Sequence, residues 1–232
     1  MSTESIKYIG LFILLVFLRQ LTGKKDVDSR LIQFDAQGLK HLGTGAAAGF
    51  TYVAGYCLIV IVTGKGHISF AGLNAFATTI VTATSLLLVI IPEALFGEYL
   101  FRGFILEQLS HRYSSLAAIS VTSGLNAALS GLLSISSPYL WLIMINSFIL
   151  SIILCLMTAE SGSLMPGLGK EIAFGLTQGL LFSIEHSGVR SAASLAVDGS
   201  IMSGIPGNIC SSFAFTLVLI IGLVYELRHL KK

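Results

Sequence analysis

Charge is what this sequence has least of. Only 11% of its 232 residues are Asp, Glu, Lys or Arg, while 54% are hydrophobic. A soluble domain carries about 25% charged residues. So little charge cannot cover a water-facing surface, which excludes a soluble globular protein and leaves a multi-pass membrane protein. Cysteine is scarce too. Cys57, Cys155 and Cys210 are odd in number and lie in apolar segments, so they read as small buried hydrophobes rather than as a disulfide framework. No CxxC or Cys/His spacing suggests zinc, and no metal or other cofactor is expected. No basic block alternates with aromatics and the net charge is only +2, which removes nucleic acid from the partner classes.

The N-terminus also lacks the marks of a cleaved leader. In MSTESIKYIGLFILLVFLRQLTGKK the apolar run is preceded by Glu4 and Lys7, and it is followed by Arg19, Lys24 and Lys25 rather than by small residues. A retained anchor is the better reading. Its apolar part, Tyr8–Leu21, is shorter than the ~20 residues an untilted span needs, so its ends must snorkel or thin the bilayer.

What is present is a series of long apolar runs. Seven segments stand out, near Tyr8–Leu21, Leu42–Thr63, Phe76–Leu95 continuing past Arg102, Leu116–Ile135, Leu140–Thr158, Leu164–Phe182 and Ile209–Tyr225. Isolated strands would leave backbone groups unpaired in lipid, so the segments are expected to be helices and the fold an all-α polytopic transmembrane bundle. The connections are short except for Thr22–His41 and Ser183–Asn208. Orientation follows the positive-inside rule. With the N-terminus outside, ten Lys and Arg residues fall on the inner side, at positions 19–40, 102–112 and 228–232, against Lys65, Arg190 and Lys7 outside. This predicts a cytoplasmic C-terminus. Within the second segment, Gly45 and Gly49 of GTGAAAGF are four apart, a spacing that lets helix backbones approach closely. Packing inside one bundle is the simpler use of it, dimerisation the alternative.

Ionisable side chains at membrane depth cost several kcal/mol and need a partner or a function. The candidates are Glu93, Glu98, Arg102, Lys170 and Glu171. Glu98 and Arg102, in GEYLFRG, are an i, i+4 pair with the acid first, the better order on a helix. Such a pair is either a buried clamp between helices or part of a polar active site. Lys170 and Glu171 are neighbours in sequence and are expected on different faces, which leaves Glu171 to seek Arg102 or to stay protonated. Glu98, Arg102 and Glu171 then form one structural polar cluster. Glu93 lies one turn before Gly97, on a similar face. His186 could supply an imidazole, but it sits near a membrane edge. His41, His67, His111 and His229 fall at segment ends, where solvated histidines are the rule. Ser123, Asn126 or Ala127, and Ser130 form a small-residue stripe of the kind that packs helices, and IMSGIPGNI reads as a turn.

GEYLFRGFIL resembles the first motif of the CAAX-protease and bacteriocin-processing family, the CPBP or abortive-infection family. That motif has two glutamates, three residues, then arginine and usually glycine. Glu98, Arg102 and Gly103 match it, and Gly97 stands at the first glutamate. The family's phenylalanine–histidine motif falls on SLAAISVTSGLNAALSG, with Asn126 and Ser130 at the two positions. Its histidine–asparagine motif falls on GSLMPGLGKEIAFGLTQGLLFSIEHSG, where the approach is kept at Gly162, Ser163, Leu164 and Pro166. The tail is kept at Thr177, Gln178, Gly179, Phe182, Ser187 and Gly188, but Glu171 and Gly175 replace the histidine and asparagine. The likeness runs from about Leu42 to the C-terminus. It divides the chain into an anchor with its cytoplasmic connection, 1–41, and a CPBP-like transmembrane domain, 42–232.

The resemblance implies an intramembrane protease fold without its usual catalytic residues. In the family the first glutamate and the second-motif histidine activate water, and the third motif holds the oxyanion. Peptide hydrolysis needs such a base and pre-placed donors. Gly97 and Gly175 have no side chain, Ser130 is a poor base, and an ionised Glu171 repels an oxyanion. The expected function is therefore non-catalytic binding of a membrane protein or peptide in the former substrate groove. Relatives linked to bacteriocin processing, self-immunity and envelope regulation suggest a regulatory or immunity-like role. Two alternatives remain open at this level. One is an active intramembrane endopeptidase with a carboxylate pair rebuilt from Glu98 and Glu171. The other is a small transporter lined by Arg102, Lys170 and Glu171, although no inverted repeat or paired broken helices are visible.

Overall fold

The computed structural model describes residues 35–70, 76–182 and 193–229. The expected anchor Tyr8–Leu21, along with His186 and Arg190, lies outside the described residues. Six helices account for the other six apolar segments. α1 is Ala36–Val62. α2 starts as Phe76–Glu98, continues through a π-helical stretch Tyr99–Ile105 and ends as Leu106–Ser110. α3 is Ser115–Leu133, α4 Leu140–Ser161, α5 Met165–Phe182 and α6 Phe213–His229. Four helices are long and apolar enough to cross a membrane: Ala36–Val62, Ala77–Ser110, Ser115–Leu133 and Leu140–Ser161. The molecule is thus an all-α membrane bundle, with six helices among the described residues against seven expected from the sequence.

Local chemistry sets the boundaries. α1 begins six residues earlier than the hydropathy suggests, because Asp35 caps it: its Oδ1 accepts from the Gly38 amide at 2.7 Å. Ser114 caps α3 in the same way, accepting from Ala117 N at 3.4 Å. α4 ends at Gly162, whose φ of +64° is the left-handed geometry that glycine tolerates best, and α5 follows within three residues. Pro92 inside α2 removes one backbone donor.

One element has no counterpart in the sequence reading. β1, Gly66–Phe70, and β2, Ala193–Val197, pair antiparallel with Ile68 opposite Leu195. Lys65 Nζ meets Asp198 Oδ2 at 3.2 Å beside this two-stranded sheet, and Tyr139 OH donates to Gly199 O at 2.9 Å. The sheet gathers the α1–α2, α3–α4 and α5–α6 connections at one end of the bundle, as helices that alternate in direction require.

The core fills the space between α1, α4, α5 and α6. Tyr52, Val53, Tyr56 and Val60 meet Leu150, Ile153, Leu154, Phe174, Phe215 and Leu219. Phe174 and Phe215 stack tilted, 5.5 Å between centroids. Tyr56, fully buried, satisfies its hydroxyl on Ser203 O at 2.7 Å. Asn146 Nδ2 donates to Cys210 O and Ser212 O, at 2.7 and 3.0 Å, which fixes the approach to α6. The IMSGIPGNI stretch is a turn, as expected, with Gly204 and Gly207 at positive φ.

α1 and α5 touch backbone to backbone. A Cβ on Gly45 would run into the Pro166 carbonyl. One on Gly169 would run into the Leu42 carbonyl, and one on Gly49 would lie 2.6 Å from Lys170 O. The GTGAAAGF glycines therefore work inside this bundle, pressing α5 against α1.

Candidate active site: the polar seam between α2, α4 and α5

The seam lies at the end of the bundle opposite the sheet. Glu98 is about 33 Å along α2 from Phe76 at 1.5 Å per residue, and α5 begins at the same end. α2 is π-helical from Tyr99. Such segments are uncommon and concentrate at functional sites. Glu98 and Arg102 are both buried, and Glu98 Oε1 lies 3.1 Å from Arg102 Nη1. Neither carboxylate oxygen gains a well-aligned hydrogen bond, and neither does Arg102 Nε. The contact is a charge pair held by packing. Arg102 Nη2 also donates to Ser151 Oγ of α4 at 3.3 Å, and the guanidinium lies 5.9 Å from the centre of the Phe101 ring. The carboxylate presses onto α5, where a Cβ on Gly167 would collide with Glu98 Oε2. The pair therefore ties α2 to α4 through Arg102 and to α5 through Glu98.

Sequence reasoning missed three of these contacts. Ser151 is one hydroxyl in a long apolar run, and Gly167 reads as an ordinary small residue. Cys155, expected to be bland, is buried in the neighbourhood of Ser123 and Arg102. Sequence carries no signal for any of them, because each depends on which helix is brought alongside.

Glu171 takes a different partner from the one expected. Lys170 Nζ reaches Glu171 Oε1 at 3.0 Å. Adjacent residues leave a helix in different directions, but four methylenes let the lysine curl around it. Lys170 itself is fully buried, with its ammonium 5.0 Å from the centre of the Phe174 ring. Glu171 is one-third exposed. It remains within electrostatic reach of Arg102, and Glu98 feels both Lys170 and Glu171, so the four charges share one neighbourhood as two separate pairs.

The remaining expected positions are accounted for one by one. A Cβ on Gly97 would meet nothing within 4 Å, so the space beside Glu98 is open. Ser130 Oγ donates to Asn126 O, one turn back on its own helix, at 3.0 Å. At Gly175 a Cβ would meet the Ile90 side chain at 3.2 Å. Glu93 is on the exposed face of α2. His41, His67, His111 and His229 sit at element ends, and His111 faces Glu107 at 3.9 Å. Among the described residues no group of three or more His, Cys, Asp or Glu side chains could hold a metal ion.

No curated protein and no solved structure matches the chain. A family model does match, that of the type II CAAX prenyl endopeptidase Rce1-like proteins, over residues 76–174. The matched segment runs from the start of α2 to Phe174 of α5, so it contains Glu98, Arg102, Ser130 and Glu171 and stops one residue before Gly175. Over residues 76–174 the chain is similar to the Rce1-like, CPBP family of intramembrane proteases.

Proposed function

We propose that this membrane protein keeps the scaffold of an intramembrane protease and uses it without catalysis, to hold a membrane or envelope partner in a regulatory or immunity-like role. The observation that carries this reading is the state of Glu98. Its carboxylate is 1% exposed, paired with Arg102 and pressed onto Gly167, and no base stands beside it, because the neighbouring position is glycine. A general base must reach the water it deprotonates. Ser130 spends its hydroxyl on its own helix, and Gly175 supplies no donor. Glu171 is engaged by Lys170, which weighs against a rebuilt Glu98/Glu171 carboxylate pair. The same engagement leaves neither Lys170 nor Glu171 free to line a transport path. We place the sheet end outside and the seam and the C-terminus on the cytoplasmic side, following the distribution of Lys and Arg.

The test compares membrane-protein termini by mass spectrometry in cells lacking the protein, cells with the wild type, and cells with the Glu98→Gln, Glu171→Gln double variant at matched abundance. The reading predicts no terminus that depends on the wild type. A cleavage present only with the wild type would establish a working protease and overturn it.

A further inference from the structure

The seam pair ties α2 to α4 and to α5, while α3 sends two hydroxyls to the same level of the bundle. Leu106, Ala118 and Cys155 pack together as one layer of α2, α3 and α4. These helices alternate in direction. One turn away from the α2–α3 connection is therefore four residues back on α2 and α4 and four residues forward on α3. The next layer is then Arg102, Thr122 and Ser151, with Ser123 beside Thr122. Arg102 Nη2 meets Ser151 Oγ at 3.3 Å, in agreement with that register. Cys155, one turn from Ser151, has Ser123 and Arg102 in its neighbourhood, which brings α3 to the same place.

Every polar group of this layer is buried. Thr122, Ser123 and Ser151 are 0% exposed and Arg102 is 4% exposed. Among the described residues, Thr122 Oγ1, Ser123 Oγ and Arg102 Nε have no hydrogen-bond partner. They stand around one place without reaching one another. Groups enclosed in this way are nearly always satisfied by protein or by ordered water. The partner they need must accept from Arg102 Nε–H, which can only donate, and must serve hydroxyls that can donate or accept. It must be uncharged, because Glu98 Oε1 at 3.1 Å already balances the guanidinium. It must also be small enough to fit between three packed helices. Water meets all three conditions, and polar groups held just beyond each other's reach are where a bridging water belongs.

We propose that a buried water site between α2, α3 and α4 joins Arg102 Nε to Thr122 Oγ1 and Ser123 Oγ. The guanidinium is then held on three arms, Nη1 by Glu98, Nη2 by Ser151 and Nε by water. α3 enters the clamp through the water rather than through a side chain of its own. The site transfers no proton, so it is independent of whether the seam is catalytic.

NMR of the full-length protein in detergent, with isotope-labelled arginine, tests it. The Arg102 Nε–H signal, assigned by its loss in Arg102→Lys, is expected to show a cross-peak to water with the sign of a long-lived contact. Ser123→Ala should weaken that cross-peak. Thr122→Val keeps the shape and removes the hydroxyl, and it should lower the melting temperature by several degrees. Combined with Ser123→Ala, the two losses should not add, because both act through the shared water. A bare buried hydroxyl would do the opposite, since removing it relieves an uncompensated desolvation. A rise in melting temperature for Thr122→Val, or an Arg102 Nε–H without a cross-peak to water, would overturn the proposal. The melting comparison needs only the two conservative variants, so it decides the sign even if Arg102→Lys accumulates poorly.

Discussion

The two ends of the bundle each carry an ion pair of nearly equal length, 3.1 Å for Glu98–Arg102 and 3.2 Å for Lys65–Asp198. Their surroundings differ. The seam pair is 1–3% exposed, while the pair beside the sheet is about 40% exposed. In water, screening and side-chain entropy cancel most of what a salt bridge gains. In a dry interior, removing one partner strands a charge, whereas replacing both leaves little debt. Distance alone therefore says nothing about which pair the fold depends on. Only the seam pair is also wedged against a neighbouring helix, through Gly167.

The largest break is expected at the seam. Arg102→Ala strands Glu98 and should destabilise the folded protein by about 3–5 kcal/mol, read as lost accumulation and a lowered melting temperature in detergent. Gly167→Ala comes next, because its Cβ needs the space of the Glu98 carboxylate. It should weaken the clamp by about 1–3 kcal/mol, the usual cost of overpacking. Gly45 and Gly43 sharpen the same point on α1. Alanine at 45 meets the Pro166 carbonyl and should lower the melting temperature by several degrees. Alanine at 43 meets nothing within 4 Å and should be neutral or gain up to about 1 kcal/mol of helix propensity.

At the sheet end the effects are smallest. Lys65→Ala should leave the melt at pH 7 unchanged. Asp198 accepts from Ser203 Oγ at 2.6 Å and Ser200 N at 3.0 Å, and these bonds hold its carboxyl below the usual carboxylate range. Its contribution is then complete above about pH 3.9, the unfolded value, and fades only as pH falls toward the lower folded value. Melts from pH 5 to 8 should show no step assignable to Asp198→Asn.

Much of the fold is legible in the sequence, because apolar runs that must satisfy their own backbone in lipid have few alternatives to helix. All six segments within the described residues form helices, and the small-residue spacing at Gly45 and Gly49 marks a close helix contact. The sheet is not legible: GHISF and ASLAV are short, mixed in polarity and joined only by the return of distant loops. The seam divides the same way. The Glu98–Arg102 pairing is local, four residues along one helix, and can be read from spacing. Lys170 with Glu171, Arg102 with Ser151 and Glu98 against Gly167 depend on side-chain reach and on which helix arrives alongside.

The central claim is that Glu98 and Arg102 hold the bundle together and do no chemistry. Thermal unfolding of Glu98→Gln, Arg102→Met and the double variant, purified in the same detergent, tests it most directly. The account predicts that Arg102→Met melts well below the wild type and that adding Glu98→Gln recovers much of the loss, since no charge is then stranded. Single variants that melt like the wild type, or a double variant no more stable than Arg102→Met alone, would contradict it.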